Sequence, residues 1–308
     1  MAGDGIMLLP SYSSVPVRYE KTVSVPIVST ATDARERALK SISKLPPFSA
    51  ALNKLMASLA DEDVSFAELA DVIEKDAVLA GAVLRTVNSA IYARRGTVSS
   101  VRHALAVLGV SKLRNITISL SLAQMWNSTT IPGGWSVEQF NLHAVAVAIL
   151  ADLLAAEMES EFPEGAFTGG LLANVGMLLI AIGAPQQYAE VQRVYRKQFQ
   201  PLEDCERDVL GFHHAELSAE TLRQWRLPDP IVTAVAAHHT CDEPGKLAYL
   251  LAKADLVAAR HTITVQPWMQ ADPAAPADVL SEIGLGEKAD SILQSFQDEY
   301  NTLKAFFR

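Results

Sequence analysis

The chain has 308 residues, 49% of them hydrophobic and 20% charged, which excludes a disordered polymer and supplies apolar side chains for at least one large core, with two compact units favoured by length. Its formal net charge of -9 gives nucleic-acid phosphates no overall attraction, so DNA or RNA binding would need a local basic patch. The two cysteines, Cys205 and Cys241, form neither a CxxC pair nor a disulfide framework, which points to a reducing, cytoplasmic compartment.

Residues 1–32 are rich in Ser, Val and Pro and read as an extended arm or edge hairpin, with Pro16 and Pro26 arguing against a central strand. No basic leader precedes the short run IMLLP, and no uninterrupted apolar run reaches the ~20 residues of a membrane span. The expectation is therefore a chain with no membrane segment.

From Asp33 the periodicity turns helical, and a first helical lobe is expected over 33–130. Leu52, Leu55, Met56 and Leu59 share one face, and Ser65 with Glu68 forms a capping box. The stretch AVLAGAVLRTVNSAIY reads as a buried helix ending near Asn88 to Tyr92. Ser99 or Ser100 caps VRHALAVLG, Gly109 stops it, and Ser111 opens the next helix. The basic residues of this lobe, Arg85, Arg94, Arg95, Arg102, Lys112 and Arg114, alternate with apolar ones and read as a solvated face rather than a phosphate track.

Pro132, Gly133 and Gly134 mark a break, after which a second helical lobe is expected over 131–262. A long helix carries His143 near its start. The run GGLLANVGMLLIAIGAP, Gly169 to Pro185, reads as one buried helix, and helices bounded by Pro or Gly carry His213, His214, His238, His239 and Asp255. Adjacent His238 and His239 would point about 100° apart on a helix, so at most one should face fully inward. His103 and His261 read as surface residues. Over 263–308, a looser proline-bearing linker leads to a final helix whose Ile292, Phe296, Tyr300, Leu303 and Phe307 form a face for docking on the body.

Two sets of motifs carry a family resemblance. The LPP opening at Leu45, the run AELADVIEKDAVLAGAVLRTVNSA with Asn88 and Ser89, and VSSVRHALAVLG leading to Leu113–Asn115 together resemble the start of the HDOD domain, the HD-related output domain of bacterial signalling proteins. The second half resembles the HD superfamily of metal-dependent phosphohydrolases. There His143 matches the first ligand histidine, GLLANVGML matches GLLHDIGKL, and Asp255 in AKADLVA matches the closing aspartate. His214 and His238 or His239 match the additional histidines of HD-GYP relatives.

The doublet itself is missing: Ala173 and Asn174 stand in the His-Asp positions, and Met177 replaces the usual Lys. Ala173 offers no ligand, while Asn174 lacks the negative charge that offsets a divalent cation and helps activate its water. The resemblance thus implies an all-α fold of two lobes, the second HD-like, with a vestigial site at His143, Ala173, Asn174, His214, His238, His239 and Asp255. Neither a cofactor nor catalysis is expected. A weak divalent metal on His143, Asp255 and one further His stays open.

No GxSxG, GxxxxGK[ST] or HExxH motif is present. The resemblance implies a regulatory scaffold with a signalling protein as partner. Interaction candidates are Asn88, Ser89, Tyr92, Arg94 and Arg95, together with the C-terminal helix. Homo-oligomerisation and cyclic dinucleotide binding stay open. The competing class is a residual metal- or nucleotide-binding sensor or phosphohydrolase.

Overall fold

The computed structural model describes residues 28–59, 66–88, 97–131, 133–198 and 200–307, and every regular element among them is helical. The first six helices are α1 (Val28–Lys40), α2 (Ala50–Ala57), α3 (Phe66–Glu74), α4 (Ala77–Val87), α5 (Val101–Leu108) and α6 (Val110–Asn127). Then come α7 (Val137–Glu157), α8 (Ala166–Leu172), α9 (Val175–Gly183), α10 (Pro185–Gln198), α11 (Leu202–Leu210), α12 (His214–Gln224), α13 (Asp229–Ala237) and α14 (Leu247–Arg260). The chain closes with α15 (Pro276–Glu282) and α16 (Ala289–Leu303).

Short polar side chains set several starts by satisfying amides that a first helical turn leaves free. Ser49 accepts from the Leu52 amide, Asp76 from those of Val78 and Leu79, Ser100 from His103 and Ser136 from Gln139. Gly109, at φ 81°, ends α5 and begins α6 directly, so α6 opens at Val110 rather than at Ser111.

Helices α2 to α6 pack on one another as the first lobe, with α6 buried along most of its length. In the second lobe α7 runs through the middle, against α8, α14 and α16. Helix α1 starts ahead of the expected Asp33 and packs on α9, α11 and α12, so it lies against the second lobe although it precedes the first in sequence. The crossing is tight, because a Cβ on Gly183 would lie 2.5 Å from Ala38 Cα. The rest of the expected arm, residues 1–27, lies outside the described residues.

Two stretches, Val137–Glu157 and Pro163–Gly183, are in fact long and apolar enough to cross a bilayer, but they are 67% and 100% buried inside the body, the position of core helices. The C-terminal face docks as expected, with Ile292, Phe296, Tyr300, Leu303 and Phe307 all buried. His261 is half-buried rather than exposed, its ring packing 5.1 Å from Phe296, whereas His103 is exposed.

The segment after α14 is tied down rather than loose. Gln266 is fully buried, accepts from the Ser136 amide at 2.9 Å and donates to the Ser136 carbonyl at 3.1 Å. Gln139 donates to Thr264 O at 2.9 Å. These bonds lock the start of α7 to the end of α14, which sets the position of His143.

Candidate functional site

The run expected to form one helix is broken. Helix α8 ends at Leu172 and α9 starts at Val175, leaving Ala173 and Asn174 in a turn between them. Two contacts with α12 cause the break. The Gly176 amide donates to Ser218 Oγ at 2.8 Å, which takes it out of the helical ladder. A Cβ on Gly176 would sit 2.1 Å from His214 O, so only glycine lets the first turn of α12 rest on this corner.

The turn carries Asn174, 5% exposed, to His143, 2% exposed. His143 Nδ1 donates to Ile263 O at 2.9 Å, so the loop held by Gln266 orients the ring. Nε2 of the same ring lies 2.9 Å from Asp255 Oδ1 on α14 and 3.2 Å from the Asn174 amide. Burial alone would raise the Asp255 pKa, but the His143 hydrogen bond and charge, with His238 and His214 behind them, hold it below the usual carboxylate range. His143, Asn174 and Asp255 therefore form one compact polar triplet beside the Ala173 methyl.

A second cluster adjoins it. Glu206 of α11, 2% exposed, accepts from both the His214 backbone amide, at 2.8 Å, and His214 Nδ1, at 2.6 Å. Helix α13 stops at Ala237, so His238 and His239 occupy a turn rather than a helix. Both rings face His214, with centroids 5.8 and 4.8 Å from it, but only His238 is fully buried, in keeping with the expectation that at most one faces fully inward. His238 Nδ1 donates to Val235 O at 2.7 Å, leaving its buried Nε2 without a partner. His239 Nε2 is 2.9 Å from His214 Nε2, and His213 Nε2 is 3.3 Å from Glu216.

Burial opposes charge on these rings. It lowers the His213 pKa, and together with the neighbouring His214 it lowers His238 to about 4. His239 falls well below the ordinary value, from burial and from His238. His214 goes the other way, because Glu206 outweighs its burial and raises it. An unfolded histidine takes its proton near pH 6.5. A depressed folded value therefore contributes stability above that pH that is lost as pH falls toward the folded value. His214 has the reverse sign, its contribution being full below pH 6.5 and lost as pH rises through its folded value. With three rings lowered and one raised, the melting temperature of chelator-washed protein is expected to fall between pH 7 and pH 5. His238 alone accounts for on the order of 2 kcal/mol of that loss, and His238→Gln should flatten the profile in thermal melts.

The expected interaction residues lie elsewhere. Asn88 caps α4 and turns its amide inward, donating to Val98 O at 2.7 Å and accepting from Val98 N at 2.8 Å. Its amide also donates to Leu84 O at 2.9 Å, so it offers no free amide to a partner. Ser89, Tyr92, Arg94 and Arg95 lie outside the described residues. Of the neighbouring cations among the described residues, Arg102 pairs with Asp71 and Glu74, and Lys112 with Glu299.

The sequence pattern of the HDOD domain matches residues 45–241. The chain belongs to the HDOD domain family. An HDOD domain protein of unknown function from Geobacter sulfurreducens shares the fold at a TM-score of 0.71 and 20% identity, covering 91% of this chain and 98% of its own. A provisionally named signal transduction protein from Marinobacter aquaeolei VT8 gives 0.69 at 22% identity, over 92% of this chain and 67% of its own. A provisionally named phosphohydrolase from Shewanella amazonensis SB2B gives 0.69 at 23%, over 88% and 98%. An uncharacterised protein of Treponema pallidum (strain Nichols) is 21% identical over 199 residues, 64% of this chain, and the match spans only 38% of that relative's length. These likenesses establish the HDOD fold.

Glu206, Ser218, Gln266 and the Ile263 carbonyl are the parts of this HDOD site that sequence reasoning missed. Glu206 left a trace. It falls between Cys205 and Leu210 on the face that also buries Leu202, an acid placed on an apolar stripe. The others hold the site through backbone atoms or a common polar side chain and leave no pattern in the sequence.

Proposed function

We propose that this HDOD chain is a non-catalytic component of a cytoplasmic bacterial signalling pathway, acting through a protein partner. The observation that carries the proposal is the composition of the turn between α8 and α9. An HD-type metal centre draws a histidine and an aspartate from that turn, and here it supplies a methyl group and a neutral amide. The two remaining matched ligands, His143 and Asp255, approach each other to 2.9 Å with the Asn174 amide against the same nitrogen. These residues do not fit a four-donor centre able to generate a hydroxide nucleophile. Exchanging a charged centre for Ala, Asn and Met also lowers the cost of burying the region.

The HDOD family and the signalling relative support the pathway assignment. Both cysteines are unpaired, in keeping with a reducing compartment. The test is chromosomal replacement. A strain carrying Asp255→Asn is expected to match wild type in an output that changes on deletion of the whole gene. An Asp255→Asn strain that reproduces the deletion phenotype would overturn the proposal.

The buried imidazole cluster of His214, His238 and His239 favours a second reading, a residual metal- or nucleotide-binding sensor site.

A further inference from the structure

We infer that the groove between α13, the turn that follows it and the start of α14 is a docking surface for a partner protein, and that it takes an exposed segment bearing arginine or lysine side chains. The inference rests on the protein-partner reading above and names the surface and the chemistry of the partner. The groove has a volume of about 540 Å3, and its lining residues belong neither to the His143–Asn174–Asp255 triplet nor to the histidine cluster.

Its floor is built from short apolar side chains, Pro230, Ala234 and Ala237 of α13 and Ala248 of α14, with the half-buried Cys241 beside them. Its rim is acidic, because Glu161, Asp229 and Glu243 stand against a single cation, Lys246. That cation is held by Glu161 at 2.9 Å. Among the described residues, the exposed side chains of Asp229 and Glu243 make neither a hydrogen bond nor an ion pair, although Glu243 lies close enough to act on Lys246 through its charge. Two carboxylates are therefore left without a cation at the edge of an apolar channel.

Charge complementarity selects the occupant. An arginine or lysine has two parts that match the two parts of the groove: a methylene stem that buries on apolar surface and a cationic head that stays at the rim. Arginine suits it best, because its planar fork donates two hydrogen bonds to one carboxylate. A nucleic acid or an anionic lipid surface would instead bring phosphates against the unpaired carboxylates. The walls are set before a partner arrives, since the Glu161 amide donates to Gly245 O at 3.0 Å and the Lys246–Glu161 pair joins the same two loops. Preformed walls lower the ordering cost of binding. Helix α13 runs from Asp229 to Ala237 and leads directly into His238, so a partner seated here bears on the helix that positions His238 and His239.

The test uses the full chain and two short fluorescein-labelled peptides, one alternating Arg with Ala and the other Glu with Ala, read by fluorescence polarisation at physiological ionic strength. The Arg peptide is expected to bind and the Glu peptide is not. Asp229→Asn combined with Glu243→Lys should weaken binding about tenfold or more, the equivalent of one charge-assisted hydrogen bond. Thr233→Trp, which fills the groove from an exposed position without changing charge, should weaken it about as much. Asp71→Lys combined with Glu74→Lys, a larger change of charge on α3 of the first lobe, should bind within about threefold of wild type, because salt screens charges beyond about 8 Å. Circular dichroism checks that the helices are intact, and if the double variant at the groove fails to fold, Thr233→Trp carries the test. In the cell, Asp229→Asn combined with Glu243→Lys is expected to reproduce the deletion phenotype. No binding of the Arg peptide, equal binding of the Glu peptide, binding unchanged in Thr233→Trp, or a double-variant strain with wild-type output would overturn the inference. So would self-association of wild type that Thr233→Trp abolishes, which would assign the groove to a second copy of the chain. These results leave the signalling proposal standing, whereas an Asp255→Asn strain with the deletion phenotype overturns that proposal and leaves the peptide result in place.

Discussion

Glu206→Ala is expected to destabilise the chain by about 3–5 kcal/mol, the range for breaking a buried ionic pair by removing one partner. Both side chains of the pair are 2% exposed, and the carboxylate accepts from two donors on the same residue, the His214 amide and ring. Alanine would leave both N–H groups buried without acceptors at the first turn of α12. It would also remove the charge that keeps the His214 pKa raised against burial. Glu206→Gln keeps an oxygen for the donors and should cost much less. Chemical denaturation of the two variants separates the contributions, with a large drop in midpoint for alanine and a small one for glutamine. Similar losses in both would place the effect in charge rather than in hydrogen bonding.

Gly176→Ala is expected to have the next largest effect, at least 1–3 kcal/mol by the usual cost of overpacking. The new methyl would lie 2.1 Å from His214 O and 2.9 Å from Ser218 N and Oγ, so α12 would have to move away from α9. That movement also weakens the Gly176 amide bond to Ser218, worth about 1 kcal/mol. Gly81→Ala is the matched control. No atom lies within 4 Å of its added Cβ in α4, so it should gain about 0.4–1 kcal/mol from lower unfolded-state entropy. Thermal melts of the pair should therefore move in opposite directions.

Much of the fold can be read from the sequence because helix starts and stops are local. Ser100 caps where a polar residue precedes apolar periodicity, and the α16 face follows directly from spacing. What fails to show is tertiary in origin. The break at Ala173 and Asn174 comes from Gly176 meeting α12, a contact between residues forty or so apart that no local pattern records. The rings of His238 and His239 both reach His214 because α13 ends at Ala237, ahead of any glycine or proline that would mark the stop. Helix α1 lies on the second lobe because Ala38 fits against Gly183, again a matter of shape. The set of vestigial positions could be listed by matching motifs, but its division into a His143–Asn174–Asp255 triplet and a three-imidazole cluster required coordinates.

The most direct test of the central claim, that the blank doublet abolishes catalysis, is a hydrolysis assay on the full chain. The protein would be reloaded in turn with Mn2+, Fe2+, Mg2+, Co2+ and Zn2+ and given bis(p-nitrophenyl) phosphate and cyclic dinucleotides, with Asp255→Asn assayed beside it. The account predicts no metal-dependent turnover above the rate of Asp255→Asn with any ion. Turnover by wild type that disappears in Asp255→Asn would contradict it and show that His143 and Asp255 still hold a working centre.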